Sequence, residues 1–475
     1  MNQIKKMFFL WILVFPYITV EAENRLVIYP APEGAQLNDD FTVRVRQTGQ
    51  EWKTIPSYLI NVDEVRDAKH NVEDASMAYF DFSGEVEVSV TYNHGTIETA
   101  RVRPLSYQIA PKVIGNTMTF TLNQPRNLSV EVNGDIFHNL HLFANPVETF
   151  KPDPKDKKVI YFDPGIHTPE GGRIKVPSGT TLYLSGGAVL MGQILVDKVR
   201  DVKILGRGMV DRSIKGGILI ANSKNIYVEG LICTQAPTGG SDSVTIRNVK
   251  SISYYGWGDG MNVFASNNVL WDGVFCRNSD DCTTVYATRG GFTGGCKNIT
   301  LQNSTLWADV AHPIFIGIHG NTENPEIIED LTYINIDILD HKEKQVDYQG
   351  CLAINVGDNN LVRNVRFENI RIEDFRQGQL VNLRIFYNKK YCTAPGLGIE
   401  NILFKDITYN GSNAELSMII GYSEDRKVKN IRFEILRING QVISDDMPEK
   451  PYWYKTSDMA HFFVGEFVED VTFVK

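Results

Sequence analysis

The hydrophobic and polar positions of the chain form different patterns in its two parts. Between residues 23 and 150, short segments such as 42–46 (TVRVR) and 85–90 (EVEVSV) alternate polar and apolar residues, and glycine, asparagine and aspartate separate them. Alternation with a period of two predicts short strands with one buried face. We therefore predict a small antiparallel β-sandwich over 23–150, followed by a linker in the polar, proline-bearing segment 151–158.

Beyond residue 158 a short motif recurs, in which Asn or Asp is followed by an apolar, a variable and an apolar position. Each copy predicts one short strand with alternate residues buried, and the polar residue suits the turn before the strand. Copies separated by roughly 18 to 40 residues are typical of a parallel β-solenoid with variable loops. We therefore predict a parallel β-helix over 158–475. The copies begin at Asp201, Asn225, Ser243, Asn268, Asn298, Asp330, Asn364, Asn401, Asn430 and Asp470.

The N-terminus has the pattern of an export signal. Lys5 and Lys6 precede an apolar run at 7–20, and the sequence Val-Glu-Ala at 20–22 fits a small-residue cleavage site. The run is shorter than the ~20 apolar residues that a membrane-spanning helix requires. We predict a signal peptide over 1–22 and a secreted or periplasmic protein.

Charge and cysteine content narrow the function classes. A net charge of -9 at pH 7 gives no basic surface of the kind that binds nucleic acid. Six cysteines are too few for a disulfide scaffold in a chain of this length, and none has the spacing of zinc ligands. We expect a monomer that uses no metal or other cofactor, has no later membrane span and does not bind nucleic acid. The pairing of the cysteines is left open.

Three carboxylates and a histidine occupy similar places in successive repeats. Asp259, Asp280, Asp281 and His312 each lie 12 to 16 residues after the start of their own repeat. Coils of a β-helix stack about 4.7 to 4.9 Å apart, which places neighbouring groups within the roughly 5 to 9.5 Å that separate paired catalytic carboxylates. Crowding raises the pKa of at least one carboxylate, so that it can act as a general acid.

The residues around Asp259 suit a sugar. Glycine on both sides of it leaves room for close approach, and the ring of Trp257 offers a stacking face. We assign Trp257, Asn262 and Asn278 to substrate binding. We assign Asp259, Asp280, Asp281 and His312 to catalysis.

Three motifs resemble those of a known group of enzymes. The segments 258–260 (GDG), 278–282 (NSDDC) and 311–317 (AHPIFIG) are similar to elements of the polygalacturonase clan of β-helix glycosidases, which comprises glycoside hydrolase families 28 and 49. The segments 161–167, 181–188 and 206–211 resemble the first coils of those enzymes, so the resemblance covers roughly 158–440. It implies an all-β protein with a right-handed parallel β-helix.

Two features separate the families of the clan. The segments 103–106, 128–135 and 140–146 resemble the N-terminal sandwich of family 49, the dextranase and isopullulanase group. The Arg-Ile-Lys element with which polygalacturonases bind uronate is replaced by Leu-Ala-Ile-Asn-Val at 352–356, so an arginine partner for a carboxylate is missing there. The loop cations Lys342, Lys344 and Arg384 are alternative uronate ligands. Family 49 is the first choice and family 28 the second.

The resemblance implies an inverting glycoside hydrolase. In that mechanism Asp280 protonates the glycosidic oxygen, Asp259 and Asp281 activate the attacking water, and His312 orients the acid. Ala311 and Pro313 replace the glycines that flank this histidine in the clan. The expected substrate is a neutral α-glucan such as dextran. A hydrolase of pectic uronans, a cation-dependent lyase and a glycan-binding β-helix without activity are the alternatives, and linkage and endo or exo action are left open.

Overall fold

A computed structural model describes residues 24–66, 69–210 and 216–475. The predicted signal peptide, 1–22, lies outside the described residues. Within them, no helix has both the length and the apolar character needed to cross a membrane. The described part is almost entirely β-structure, with two short 3₁₀ turns (Leu105–Tyr107 and Glu170–Gly172) and one helical turn, α1 (Thr456–Met459).

The first eleven strands form two packed sheets. One sheet has the order β1-β5-β11-β10-β7, with β4 also paired to β5, and the other has the order β3-β2-β6-β9-β8. All their pairs are antiparallel except β5 with β11, which is parallel. The strands are β1 (Arg25–Ile28), β2 (Phe41–Arg46), β3 (Lys53–Ile55), β4 (Tyr58–Arg66), β5 (Lys69–Ser83), β6 (Val86–Tyr92), β7 (Ala100–Arg103), β8 (Lys112–Ile114), β9 (Thr117–Leu122), β10 (Arg126–Val132) and β11 (Asp135–Pro146).

Alternation produces the core of this sandwich. Val43, Val45 and Val88 of one sheet pack against residues such as Phe80 and Leu142 of the other, and all five are buried. The polar positions between them face outward, as the period-two pattern predicts.

The remaining strands coil into a parallel β-helix with a 19-stranded, an 11-stranded and a two-stranded sheet. The right-handed β-helix preceded by a sandwich is the fold that the sequence predicts. In chain order the strands are β12 (Val159–Phe162), β13 (Gly165–His167), β14 (Arg173–Lys175), β15 (Thr181–Leu184), β16 (Ala188–Leu190), β17 (Gln193–Asp197), β18 (Arg200–Gly206), β19 (Met209–Val210), β20 (Gly217–Ala221), β21 (Lys224–Glu229), β22 (Ile232–Cys233), β23 (Thr238–Gly239), β24 (Asp242–Arg247), β25 (Lys250–Ile252), β26 (Met261–Phe264), β27 (Asn267–Asp272), β28 (Phe275–Asn278), β29 (Thr283–Tyr286), β30 (Cys296–Ala308), β31 (Ile314–Ile316), β32 (Ile327–Asp340), β33 (Leu352–Val356), β34 (Leu361–Ile372), β35 (Gly378–Gln379), β36 (Val381–Ile385), β37 (Gly398–Tyr409), β38 (Ala414–Glu415), β39 (Ser417–Ile420), β40 (Val428–Ile438), β41 (Gln441–Ile443), β42 (Phe462–Val464) and β43 (Val468–Val474).

The repeated motif sets the register of the coils. The polar residue that begins each copy has a left-handed backbone, with φ between 55° and 60° at all ten positions. Asn and Asp tolerate this conformation better than other residues with a side chain. Their side chains also bond from coil to coil, as where the amide of Asn401 donates to Asn364 at 3.1 Å and that of Asn430 donates to Asn401 at 3.0 Å.

The second apolar position of the motif builds the core. Its residues pair from coil to coil, and near the C-terminus they form a stack of rings from Tyr333 through Phe367 and Phe404 to Phe433. Successive ring centroids lie 4.7 to 5.0 Å apart, close to the spacing of parallel strands. The register that buries this column also fixes which residues face outward.

The sandwich packs against the 19-stranded sheet, beneath the coils that carry the predicted site. Buried arginines join the two parts. Arg207 of the helix lies 3.0 Å from Asp81 of the sandwich, and Arg277 bonds both to Asp309 and to the side chain of Asn139. Arg277 directly precedes the predicted site residue Asn278, so this network anchors the strand that leads to the carboxylates.

Candidate active site

Three of the four predicted catalytic residues lie in one column on neighbouring coils, and the fourth, Asp280, directly precedes a member of that column. Strands β26, β29 and β31 pair in parallel, and the turns before them follow the same register. Backbone bonds of 2.9 Å from Gly260 to Asp281 and 2.8 Å from Cys282 to His312 continue the pairing into these turns. Three residues before the aligned positions Asn262, Thr284 and Phe315 stand Asp259, Asp281 and His312.

Asp281 is buried and accepts several hydrogen bonds. Its Oδ1 lies 2.6 Å from Nδ1 of His312 and 3.1 Å from the backbone nitrogen of the same residue. Its Oδ2 accepts a bond of 3.1 Å from the hydroxyl of Tyr286. Donors on both oxygens favour the ionised carboxylate.

The side chain of His312 contacts two hydrogen-bond acceptors and packs against aromatic rings. Its Nε2 faces the carbonyl oxygen of Tyr348, while Nδ1 faces Asp281. The imidazole is fully buried and stacks on Phe315 with centroids 4.1 Å apart. An imidazole between two acceptors satisfies both only when both nitrogens carry protons. The geometry therefore favours an imidazolium paired with an ionised Asp281.

The surroundings of Asp280 and Asp259 raise the pKa of both carboxyl groups. Burial, together with the charges of Asp259 and Asp281, raises the pKa of Asp280 well above its ordinary value. Burial also raises the pKa of Asp259 to about 7, and the charge of Asp281 adds to the rise. The site thus combines a carboxylate that accepts several hydrogen bonds with a carboxyl group, Asp280, that holds a proton, which is the pairing that acid and base catalysis requires. Asp259 is partly ionised near neutral pH, because its pKa is about 7.

The residues predicted to bind substrate occupy three different environments. Trp257 is 88% exposed and available for stacking. Asn262 is buried and donates a 2.8 Å hydrogen bond to Oδ2 of Asp259. Asn278 is fully buried, and its amide donates to the hydroxyls of Ser251 and Ser253. Asn278 is therefore placed to support the turn below the site. The binding roles of Trp257, Asn262 and Asn278 remain predictions.

Several residues near the carboxylates lie outside the motifs found in the sequence. Tyr286 and Tyr348 contact Asp281 and His312 as described, and the charge of Glu343 contributes to the raised pKa of Asp280. Arg289 lies near enough for its positive charge to oppose the raised pKa of Asp259. Of these residues, only Tyr286 could have been found from the sequence, because it occupies an outward position on the strand that follows Asp281.

Two of the loop cations proposed as uronate ligands are engaged elsewhere. Lys342 donates a 2.6 Å hydrogen bond to the carbonyl oxygen of Val65 in the sandwich. Arg384 lies on strand β36, in register with Asn355, and donates to the carbonyl oxygen of Asp347 at 3.0 Å. In the described residues, a group with metal-ligand geometry is found away from this site, on the sandwich surface: the ligand atoms of Asp39, Asp40 and His94 lie within 4.8 Å of one another.

The β-helix and its crowded carboxylates define a glycoside hydrolase of the polygalacturonase clan, as the motifs predict. A model of glycosyl hydrolases family 28 matches residues 200–449, more than half of the chain. The chain belongs to that family, the second choice from the sequence. No curated protein matches it.

Two of the solved structures that share the fold match this chain over most of its length and most of their own. One is Dex49A from Penicillium minioluteum, with a TM-score of 0.61, 12% identity, and coverage of 94% of this chain and 96% of that one. The other is the family 28 exopolygalacturonase of Yersinia enterocolitica, with a TM-score of 0.50, 13% identity, and coverage of 81% of this chain and 96% of that one. At these identities the likeness shows the fold alone.

Proposed function

We propose that the protein hydrolyses α-glycosidic bonds of a polysaccharide with inversion at the anomeric carbon. The observation that carries the proposal is the contrast between neighbouring residues: Asp281 accepts bonds from His312 and Tyr286, while the pKa of Asp280 is raised. A protonated acid and a base in one site are the two groups that a displacement by water requires.

The reaction follows from these two states. Asp280 gives its proton to the glycosidic oxygen as the bond from that oxygen to the anomeric carbon breaks. A water molecule attacks the same carbon from the opposite face. Asp281 and Asp259 activate this water, and its one proton passes to whichever of the two is ionised. The products are a free hydroxyl on the leaving sugar and an inverted hemiacetal.

His312 serves this reaction through Asp281. The sequence assigned it to orienting the acid, but its hydrogen bond is to the neighbouring carboxylate. We therefore assign it the role of holding Asp281 in place and ionised. Asn262 is positioned to hold Asp259 in place, because its amide donates to that carboxylate.

The preferred substrate is a neutral α-glucan, with dextran first. Strand β33 follows the coil of His312, and its outward residues are Ala353 and Asn355. Neither can form an ion pair with a uronate at that place.

A pectic uronan is the second candidate, because the positive charge of Arg289 acts on Asp259 and opposes the rise of its pKa. A carboxylate on a sugar bound near Asp259 would gain a partner from this arginine.

Hydrolysis of a panel of dextran, pullulan and polygalacturonate, followed by NMR of the newly formed anomer, tests the reaction and the substrate together. We expect the inverted anomer first. Asp280→Asn is expected to lower kcat by about 10² to 10⁴. The matched control is Asp330→Asn, a repeat-start residue with 41% of its side chain exposed, which should keep full activity.

Three results would contradict the proposal. A retained anomer excludes attack by water from the opposite face. An unsaturated product that absorbs in the ultraviolet, lost with chelator, indicates a lyase. Tight glycan binding with no turnover indicates a binding protein.

We also propose that the protein is exported, with residues 1–22 removed as a signal peptide. The charged start and short apolar run support this. The mass of the mature protein from its native host tests it, since an intact N-terminus would contradict cleavage.

A further inference from the structure

The outward residues on the two sides of the column of Asp259, Asp281 and His312 differ in their exposure to solvent. The 11-stranded sheet presents one outward residue per coil along a line through Asn262 and Phe315. Toward the N-terminal coils this line continues through Leu219 and Leu195, which are partly exposed. Toward the C-terminal coils it continues through Ala353 and Asn382, which are fully buried together with Phe315.

Two chain segments, 343–349 and 386–392, cover the buried side, and we call them the barrier. The ring of Tyr348 packs against Phe315 with centroids 5.2 Å apart, and against His312 at 4.6 Å. On its other face Tyr348 stacks on Tyr391 at 4.6 Å and 8°. With Phe386 these rings form a hydrophobic cluster that includes Ala353.

Hydrogen bonds hold the two segments of the barrier together. The side-chain oxygen of Gln345 accepts from the hydroxyl of Tyr391 at 2.8 Å and from Lys390 at 3.0 Å. The amide of Asn388 donates to Asp347 at 3.2 Å. Hydrogen bonds between the two segments favour a fixed wall over a mobile lid.

A third contact fastens the barrier to the sheet below it. The amide of Asn382 donates a 2.6 Å hydrogen bond to the backbone oxygen of Gln349. The barrier begins beside the catalytic residues themselves, because the carbonyl of Tyr348 faces Nε2 of His312. A sugar chain leaving the carboxylates in this direction meets the wall within about one coil spacing, ~4.8 Å.

We propose that the barrier closes one side of the site, so that the enzyme cleaves a polysaccharide from a chain end. The chain lies along the open coils of Leu219 and Leu195, and its terminal unit stops at the barrier, beside the carboxylates. This inference rests on the proposed hydrolysis and adds its mode of attack.

The products of the wild-type enzyme, sampled early on the polysaccharide that responds best in the panel, test the inference. We expect one short product of uniform length from the first turnovers, with viscosity falling in proportion to bonds cleaved. A ladder of oligosaccharides with a rapid loss of viscosity would overturn chain-end attack and leave the hydrolase assignment intact. Failure to hydrolyse any glycan would overturn the proposed function instead.

A barrier variant tests the cause. The double change Lys390→Ala and Tyr391→Ala removes the stacking partner of Tyr348 and both donors to Gln345, while it leaves the catalytic residues in place. We expect longer oligosaccharides to make up at least severalfold more of the early product. Tyr452→Ala, at a residue that is 91% exposed, is the control and should keep the wild-type pattern. An unchanged pattern in a folded double variant would show that the barrier does not set the mode of attack. If the double variant does not fold, the wild-type product pattern decides.

Discussion

His312 Nδ1 lies 2.6 Å from Oδ1 of Asp281, across one coil of the β-helix. The opposite nitrogen of the same ring faces the carbonyl oxygen of Tyr348. The imidazole therefore connects the carboxylate of Asp281 to the barrier. Its charge and its orientation are both determined by contacts that come from different coils.

Substitution of His312 should affect the chemical step more than binding. His312→Ala removes the side-chain hydrogen bond to Asp281 and the contact with the carbonyl oxygen of Tyr348, so we expect kcat to fall on the order of 10- to 100-fold while KM changes little. His312→Gln retains an amide donor and should recover part of the loss. Steady-state kinetics, corrected for folded protein by circular dichroism, measures both variants. A rise in KM with kcat unchanged would place His312 in substrate binding instead.

The charge of Glu343 should make a small contribution to the alkaline limit of activity. Glu343 helps to raise the pKa of Asp280, and a general acid must be protonated to act. Glu343→Gln removes that charge, so Asp280 loses its proton at a lower pH and the alkaline limb of kcat/KM moves down. The acid limb should stay in place.

Asp347→Asn is the matched control for this experiment, since Asp347 lies in the same segment and bonds to Asn388. It should leave the alkaline limb where the wild type has it. An upward movement of the limb in Glu343→Gln would contradict Asp280 as the acid.

Asp259 should destabilise the fold at neutral and higher pH. Its folded pKa of about 7 lies above the roughly 3.9 of an unfolded aspartate. Between these values the folded state binds more protons than the unfolded state, so stability falls as pH rises through this window. Above pH 7 the cost is complete.

Asp259→Asn removes that cost. We expect a gain on the order of 1 to 2 kcal/mol at pH 8, after allowance for the solvent that reaches the side chain, and little gain at pH 4. Urea unfolding at the two pH values measures the difference. Equal effects at both would show that the carboxylate is not held in an unfavourable state.

The sequence predicts the fold and the column of catalytic residues because both depend on local pattern. Each repeat begins with a residue that tolerates a left-handed turn, and the apolar positions after it must face the core. Once that register is set, Asp259, Asp281 and His312 have to stack. The carboxylates could therefore be placed by counting from the start of each repeat.

The barrier and the support below the site were not predictable in this way. Tyr348 and Glu343 lie in a connecting segment, whose path over the sheet depends on contacts far along the chain. Asn278 lies in the predicted motif, but its spacing does not reveal that it points down toward Ser251 and Ser253. The partner of His312 was also not determined by sequence, because the adjacent Asp280 and Asp281 face different neighbours.

The asparagine ladder offers a test of how the repeat stabilises the coils. Asn364 has φ of 56°, donates to Asp330 at 3.1 Å and accepts from Asn401 at 3.1 Å. Asn364→Ala keeps neither bond and tolerates the left-handed backbone less well than asparagine does, so we expect a loss of about 1 to 3 kcal/mol. Asn364→Gly also loses the bonds but fits the backbone, so it should cost less than alanine. Urea denaturation of the three proteins measures the order, and a glycine variant less stable than the alanine variant would show that backbone strain is not the reason for asparagine at this position.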